Sequence, residues 1–331
     1  MAAAYPAKMR ALFLVERISS FDQPNLAACF EVREVDTPTP KYGEVLVKVE
    51  CSPINPSNLS ILKGEYSDSA KNALPSLIGT EGSGTRVGIF SNNQGVWAEY
   101  VAVNEFNCVT LPDDISFEGG SSCFVNPLTV VAFVEIAIER RVKAIVHTAG
   151  ASALGKMLIK HAKEYDIEVI AVVRRADQAK SLQAIGAKYI VDTSVAEWKA
   201  ELKTLASDLG ATLGFDAVAG SLTGDILESM PNGSEVQVYG GLSNQASNGL
   251  SPRGLIFEKK KVSGFWLVEY MKVRGTLGVL SMVRKVSNGL EETFSTTISR
   301  GYALENAAQA IQDYTKNMSD NKVAFIPPQT A

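Results

Sequence analysis

The sequence predicts an α/β protein of two domains: a compact, antiparallel, barrel-like domain and a domain of alternating strands and helices. Three observations carry this reading. The first hundred or so residues hold short β segments cut by proline and glycine. After "LPDDISFEGGSSC" the texture changes, and β-branched runs alternate with stretches of helical apolar spacing. That alternation is the mark of βαβ units, hence of a parallel sheet with right-handed crossovers. Finally, the chain's 331 residues are enough for two domains, at ~100–200 residues each. The expected limits are 1–122 with 263–331 for the barrel-like domain and 123–262 for the parallel one.

Taken in order, "ALFLVER", "EVLVKVEC", "RVGIF" and "WAEYVAV" read as strands, and the turn clusters "DTPTPKYGE" and "SPINPSN" separate strands. "AIVHTA" is then a strand, "ALGKMLIKHAKEY" a helix, "EVIAVV" a strand, "ADQAKSLQAIGA" a helix and "YIVD" a strand. "ATLGFDAVA", "SLTGDILESM" and "SEVQVYGG" continue the pattern. Near Phe257 a third texture begins. "VSGFWLVEYM" reads as a strand or strand–helix junction, and "GTLGVLSMVRKVSNGL" as an amphipathic helix. The tail "YALENAAQAIQDYTKNMSDNKVAFIPP" supplies a helix and a last β segment. That segment is expected to return to the barrel, which makes the first domain discontinuous.

Composition narrows the function. A formal charge of −4 gives no reason to expect a nucleic-acid partner. No apolar run reaches the ~18–20 residues of a membrane span, so direct membrane insertion is not expected. Cys29, Cys51, Cys108 and Cys123 are scattered without C-x-x-C spacing, which reads as reduced, apolar side chains of a cytoplasmic protein. The alternative address is mitochondrial, because no acidic residue precedes Glu16. His147 and His161 are the only histidines, too few for a histidine-rich metal site.

The stretch "HTAGASALGK" joins a strand to a helix and admits two readings. Gly150, Gly155 and Lys156 match a triphosphate-binding loop, but such a loop needs Ser or Thr next, to ligate magnesium, and Met157 stands there. The second reading is a dinucleotide turn short of one glycine. Small residues at Gly150, Ala151, Ser152 and Ala153 then let backbone approach the pyrophosphate, and Gly155 lets helix and strand pack closely. An NAD-selective site places Asp or Glu at the end of the next strand. This chain has Arg174 and Arg175 there, which could grip a 2′-phosphate as charge-assisted forks, so NADP is the expected cofactor.

Together these features resemble the zinc-independent quinone oxidoreductase and enoyl reductase branch of the medium-chain dehydrogenase/reductases. The resemblance rests on "SPINPSNLSILKGEY", "GTEGSG", "WAEYVAV", "FVNPLTV", "HTAGASALGK", "AIGAKYIVD", "FDAVAG", "YGGLSN", "FEKKKVSGFW" and "NKVAFIP", in that order along nearly the whole chain. It implies a GroES-like β-barrel interrupted by a Rossmann domain, with NADP in the cleft between them. It also implies site residues. Asn55 would contact substrate or nicotinamide, and Tyr66 would lie near the reacting carbonyl, able to donate a hydrogen bond or proton as enolate charge develops. Asn126, Thr129, Gly150, Ser152, Ala153, Leu154, Gly155, Gly240, Gly241, Phe265, Trp266 and Lys322 would attend the cofactor, beside Arg174 and Arg175. No metal is expected: the zinc-dependent branch has His where this chain has Thr80, and Cys51 is out of register for a ligand.

Two departures stand out. Asn58 replaces the family's usual Asp beside the active-site loop. "GSGT" runs straight into "RVGIF", without the β segment and turn the family normally inserts after Gly84. That loss should alter the cleft wall or leave a sheet edge unpaired. Two functions are therefore weighed. One is an NADPH-dependent reductase of quinones or α,β-unsaturated carbonyls. The other is a catalytically impaired relative serving as a nucleotide-binding structural or assembly subunit. A small carbonyl or quinone substrate and a homodimer are expected, with membership of a larger assembly as the alternative.

Overall fold

The computed structural model describes residues 5–91, 95–316, 318, 319 and 322–328. The chain divides into two compact units, Met1–Val125 with Val286–Ala331, and Asn126–Lys285.

The second unit is built on six parallel strands: β1 (Ala144–His147), β2 (Glu168–Val173), β3 (Tyr189–Asp192), β4 (Leu213–Asp216), β5 (Glu235–Val238) and β6 (Lys261–Gly264). They lie in the order β3-β2-β1-β4-β5-β6. Every residue of β1 and of β4 is buried, as expected of central strands covered on both faces. The pleat sorts side chains between two cores. Val146, Ile170 and Val172 join Trp198, Leu202 and Val236 in one, while Ala171 and Val173 join Ala151 and Leu182 in the other. Chain order reverses between β1 and β4, and in such sheets ligands bind at the carboxyl ends of the strands around that reversal.

This unit runs beyond the expected limit at residue 262. β6 pairs in parallel with β5, Lys261 opposite Glu235 and Gly264 opposite Val238, so the chain at 263 is still inside the sheet. The helix Leu267–Asn288 follows, and Gly275, at φ +65°, kinks it where the expected amphipathic helix begins. Both parts are bound by Glu135, a mostly buried carboxylate. Tyr270 Oη donates to Glu135 at 2.9 Å, and Arg274 and Lys285 pair with it at 3.0 and 2.8 Å. These contacts keep residues 263–285 with the second unit.

The first unit consists of small sheets. Lys8–Leu14 lies between Phe30–Asp36 and Ser76–Leu77, Glu44–Lys48 pairs with Tyr100–Asn104, and Val87–Phe90 lies between Glu81–Gly84 and Cys108–Thr110. The last strand, Val323–Phe325, pairs with Ser52–Pro53 and with Arg300–Tyr302. Trp97 and Phe325 meet at 4.7 Å in a core that also holds Leu12, Leu62 and Tyr314.

The shortened segment after Gly84 leaves no free edge on the strand that follows it. Thr85 and Arg86 close a two-residue hairpin, both left-handed at φ +48° and +63°, the conformation that two-residue hairpins prefer. Val87–Phe90 is then paired on both sides. The Arg86 guanidinium holds the turn by donating to the carbonyls of Ile115 and Pro112.

Candidate functional site

In the second unit the turn after β1 has the features a dinucleotide needs. Ser152 is the N-cap of the helix Ala153–Lys163, and its Oγ accepts the Gly155 amide at 3.1 Å. The Ser152 amide turns back to the Ala149 carbonyl at 2.9 Å. The amides of Ala153 and Leu154, at the first two helical positions, have no acceptor among the described residues, and point with the helix dipole toward any anion bound there. Both glycines are sterically required. A Cβ on Gly155 would lie 2.2 Å from the Gly150 carbonyl oxygen, and one on Gly150 would lie 2.8 Å from Ala171 Cβ.

The neighbouring strand ends complete the frame. Arg174 is exposed at the end of β2, and Arg175 is half-buried beside it. Arg175 pairs with Asp177, its Nε 3.0 Å from Oδ1, which holds the Asp177 carboxyl below its ordinary range. Among the described residues Arg174 makes no ion pair, and its amide donates to Gln178 Oε1 at 3.1 Å.

At the end of β4, Asp216 is wholly buried and fixes the turn. It accepts from Thr148 Oγ1 at 2.8 Å, from the Val218 amide at 2.8 Å and from Thr223 Oγ1 at 2.7 Å. Thr148, beyond β1, thereby ties the two strands that flank the order reversal. After β5, a Cβ on Gly240 would meet the Ala217 carbonyl at 2.8 Å, whereas Gly241 faces open space. His147 is also wholly buried: its Nε2 is 2.8 Å from Tyr239 Oη, and burial pushes its pKa down to about 3. Phe265 packs edge-on against Phe133, with centroids 4.9 Å apart, and Trp266 is exposed. Asn126 and Thr129 are both buried in the helix Val125–Glu139.

The first unit brings together two of the expected residues, with a third that sequence reasoning passed over. Asn55 precedes the helix Pro56–Lys63, and its amide N–H donates to Asn58 Oδ1 at 2.8 Å. Asn58 Nδ2 in turn donates to Thr80 Oγ1 at 3.2 Å, so the Asp-to-Asn departure puts a donor on that hydroxyl. The Asn55 carboxamide lies between opposite charges: Nδ2 donates to Glu81 Oε1 at 2.7 Å, and Oδ1 accepts from Lys322 Nζ. Glu81 Oε2 accepts the amides of Val125 and Phe124 at 2.8 and 3.2 Å.

Burial dominates this node. Glu81 and Asn55 are 0% exposed and Lys322 9%. Desolvation raises the Glu81 carboxyl above its ordinary value and lowers the Lys322 ammonium to about 8, each partly restrained by the other. The nearby Cys51 thiol is pushed up to about 12, so it stays protonated. Tyr66, in the same unit, is half-buried at the start of the 3₁₀ turn Ser67–Lys71, with its amide donating to Ser69 Oγ at 3.1 Å. "GTEGSG" did contain a signal for Glu81: a carboxylate among glycines and small residues in a strand.

The family model described as zinc-binding dehydrogenase matches residues 153–281. The chain is 26% identical over 318 residues to a mitochondrial enoyl-[acyl-carrier-protein] reductase of Xenopus tropicalis, covering 89% of this chain and 88% of that one. It is 26% identical over 295 residues to the Homo sapiens protein of the same name, covering 82% and 76%. Among solved structures, a candidate NADPH:quinone reductase of Mesorhizobium loti superposes with a TM-score of 0.86 at 28% identity, covering 98% of this chain and 100% of that one. The Escherichia coli quinone oxidoreductase complexed with NADPH has the same fold, with a TM-score of 0.81 at 18% identity over 96% and 100%. The zinc in the family model's description finds no fit here. Among the described residues no group of three or more His, Cys, Asp or Glu could hold a metal.

Proposed function

The chain belongs to the quinone reductase and enoyl reductase branch of the medium-chain dehydrogenase/reductases, and from that premise we propose that it reduces a quinone or an α,β-unsaturated carbonyl with NADPH. It is an NADPH-dependent oxidoreductase. The observation that carries the proposal is the Ser152-capped glycine turn at the reversal of strand order, followed at the next strand end by two arginines and no acid.

The free amides of Ala153 and Leu154 would hold the pyrophosphate, and Arg174 with Arg175 the 2′-phosphate. The bound dinucleotide supplies hydride. The protein's own part is to orient the acceptor and to stabilise charge on its oxygen. We assign Tyr66 Oη as the donor to that oxygen, and Asn55 as a polar group whose orientation Glu81 and Lys322 fix. No step is assigned to a Lewis acid, since among the described residues no group of three or more His, Cys, Asp or Glu could hold a metal.

Of the two acceptor classes, the relatives named as enoyl reductases speak for the enone, and the similar structure from Mesorhizobium loti for the quinone. NADPH oxidation followed with a trans-2-alkenal and with p-benzoquinone separates them. Tight NADPH binding with no turnover on either would overturn the reductase reading in favour of an assembly subunit. Stronger binding of NADH would overturn the reading of the arginines. The relatives' mitochondrial names also favour the mitochondrial address over the cytoplasmic one, and imaging the tagged full chain distinguishes them.

A homodimer through the edge of the parallel sheet completes the proposal. Among the described residues β6 pairs only with β5, and Ile256, Phe257, Val273 and Leu277 of the same unit are 66, 77, 85 and 84% exposed. Light scattering should give twice the chain mass, and V273D/L277D half of that.

A further inference from the structure

Arg17 lies just beyond the first strand, Lys8–Leu14, and none of the motifs in the sequence draws attention to it. Its guanidinium is directed at one segment, residues 61–72. Nη1 donates to the Ile61 carbonyl at 3.2 Å, and Nη2 donates to the carbonyls of Ser69 and, at 3.1 Å, Asn72. The next residue reinforces the attachment, with the Ile18 amide donating to the Leu62 carbonyl at 3.2 Å. Gly64 makes room for this. It ends the helix Pro56–Lys63 in the left-handed region at φ +78°, and its missing Cβ would lie 3.3 Å from Arg17 Nε.

The segment so held joins the end of the helix Pro56–Lys63 to the 3₁₀ turn Ser67–Lys71. Ser67 is left-handed at φ +50°, and the turn is closed by the Ser69 amide donating to the Tyr66 carbonyl at 2.9 Å. Ile61 and Ser69 also accept the amides of Gly64 and Asn72, at 3.0 and 3.2 Å, and one planar, permanently charged fork gathers all three carbonyls. The side chain of chemical consequence in this segment is Tyr66.

We infer that Arg17 is a positioning residue for Tyr66: its three-carbonyl clamp sets where the tyrosine hydroxyl meets the substrate oxygen. The inference rests on the reading of Tyr66 given above. The Arg17 guanidinium acts on backbone carbonyls, at one remove from the reacting atoms. Its loss should therefore lower kcat and leave NADPH affinity alone. A lysine cannot replace it, because a point charge on a flexible stem does not span three carbonyls.

The test is a double-mutant cycle on the full chain, with NADPH and a trans-2-alkenal, beside NADPH titration and thermal melts. Y66F is expected to lower kcat about 100-fold, the lower end of what a positioned proton donor contributes. R17A should lower it about 10- to 100-fold, the effect of an ångström-scale misplacement, with R17K in between and NADPH Kd unchanged for all. In the Y66F background R17A should cost nothing further. If R17A lowers kcat by the same factor with and without Tyr66, or leaves kcat intact in a folded protein, the role of Arg17 is overturned and the reading of Tyr66 stands. If Y66F itself keeps full kcat, the reading of Tyr66 fails and the positioning role goes with it. Should R17A not fold, R17K carries the same comparison.

Discussion

The two units build their polar sites by opposite means. In the second, the groups proposed to face phosphate are backbone amides within ten consecutive residues, 147–156, and their geometry depends on the absence of side chains at Gly150 and Gly155. In the first, a carboxamide, a carboxylate and an ammonium meet from positions 26 and 267 residues apart, and nearly every atom of the contact is side chain. A site of the first kind is damaged by adding a methyl group. One of the second kind is damaged by removing a charge, because what remains is an unpaired ion in an apolar interior.

The sharpest test of that contrast removes Glu81. E81A leaves Lys322 buried without its counter-charge and should destabilise the protein by about 3–5 kcal/mol in urea melts. Replacing both ions, as E81Q/K322M, should recover most of that loss, because neither desolvation penalty remains. Equal instability of the single and double variants would show that packing, not charge, holds the node.

The same node should shape stability against pH. Lys322 titrates near 8 in the folded chain, against an ordinary value of 10.5. Its folded pKa is depressed, so between these values the unfolded chain binds more protons and stability rises with pH. Relative to K322M, the native protein should gain up to about 3 kcal/mol on going from pH 8 to pH 10.5, at about 1.4 kcal/mol per unit of pKa shift. A flat difference between the two proteins would break the assignment of a strained ammonium to this node.

The contrast also sets what could be read from the amino-acid string. The glycine turn was legible because strand, turn and helix are contiguous, and so was the strand–helix alternation that became β1 to β5. β6 was misplaced in the domain limits because its half-exposed edge pattern resembles a junction. Only pairing with β5 shows that it ends the parallel sheet. Asn55 and Lys322 are expected at a site only through the family resemblance, which gives them separate roles. That Lys322 reaches the Asn55 carboxamide depends on the close approach of the last strand, Val323–Phe325, to Ser52–Pro53, a tertiary fact. Glu81 and Asp216 stood within quoted motifs, "GTEGSG" and "FDAVAG", but their partners lie 26 and 68 residues away. Arg17, whose acceptors lie 44 to 55 residues on, had no local signal at all.

On the other side of the comparison, R174A/R175A should weaken NADPH binding about 10- to 150-fold, the worth of about 1.5–3 kcal/mol in hydrogen bonds to a charged group. NADH, which lacks the phosphate, should bind as before. Loss of both affinities together would mean that the arginines support the fold of the turn and not the 2′-phosphate.

Asp177 gives the smallest effect and the finest discrimination. In the structure its carboxylate occupies the Arg175 guanidinium, with Nε 3.0 Å from Oδ1 and Nη2 3.2 Å from Oδ2. A 2′-phosphate at that guanidinium would compete with Asp177 and be repelled by it. D177N should therefore tighten NADPH binding by about two- to fivefold, the range of an exposed ion pair, with no change for NADH. The gain should shrink in high salt, which screens charges at the surface. The buried Glu81–Asn55–Lys322 node, shielded from ions, should be indifferent to the same salt, so one titration series reads both units in a common variable.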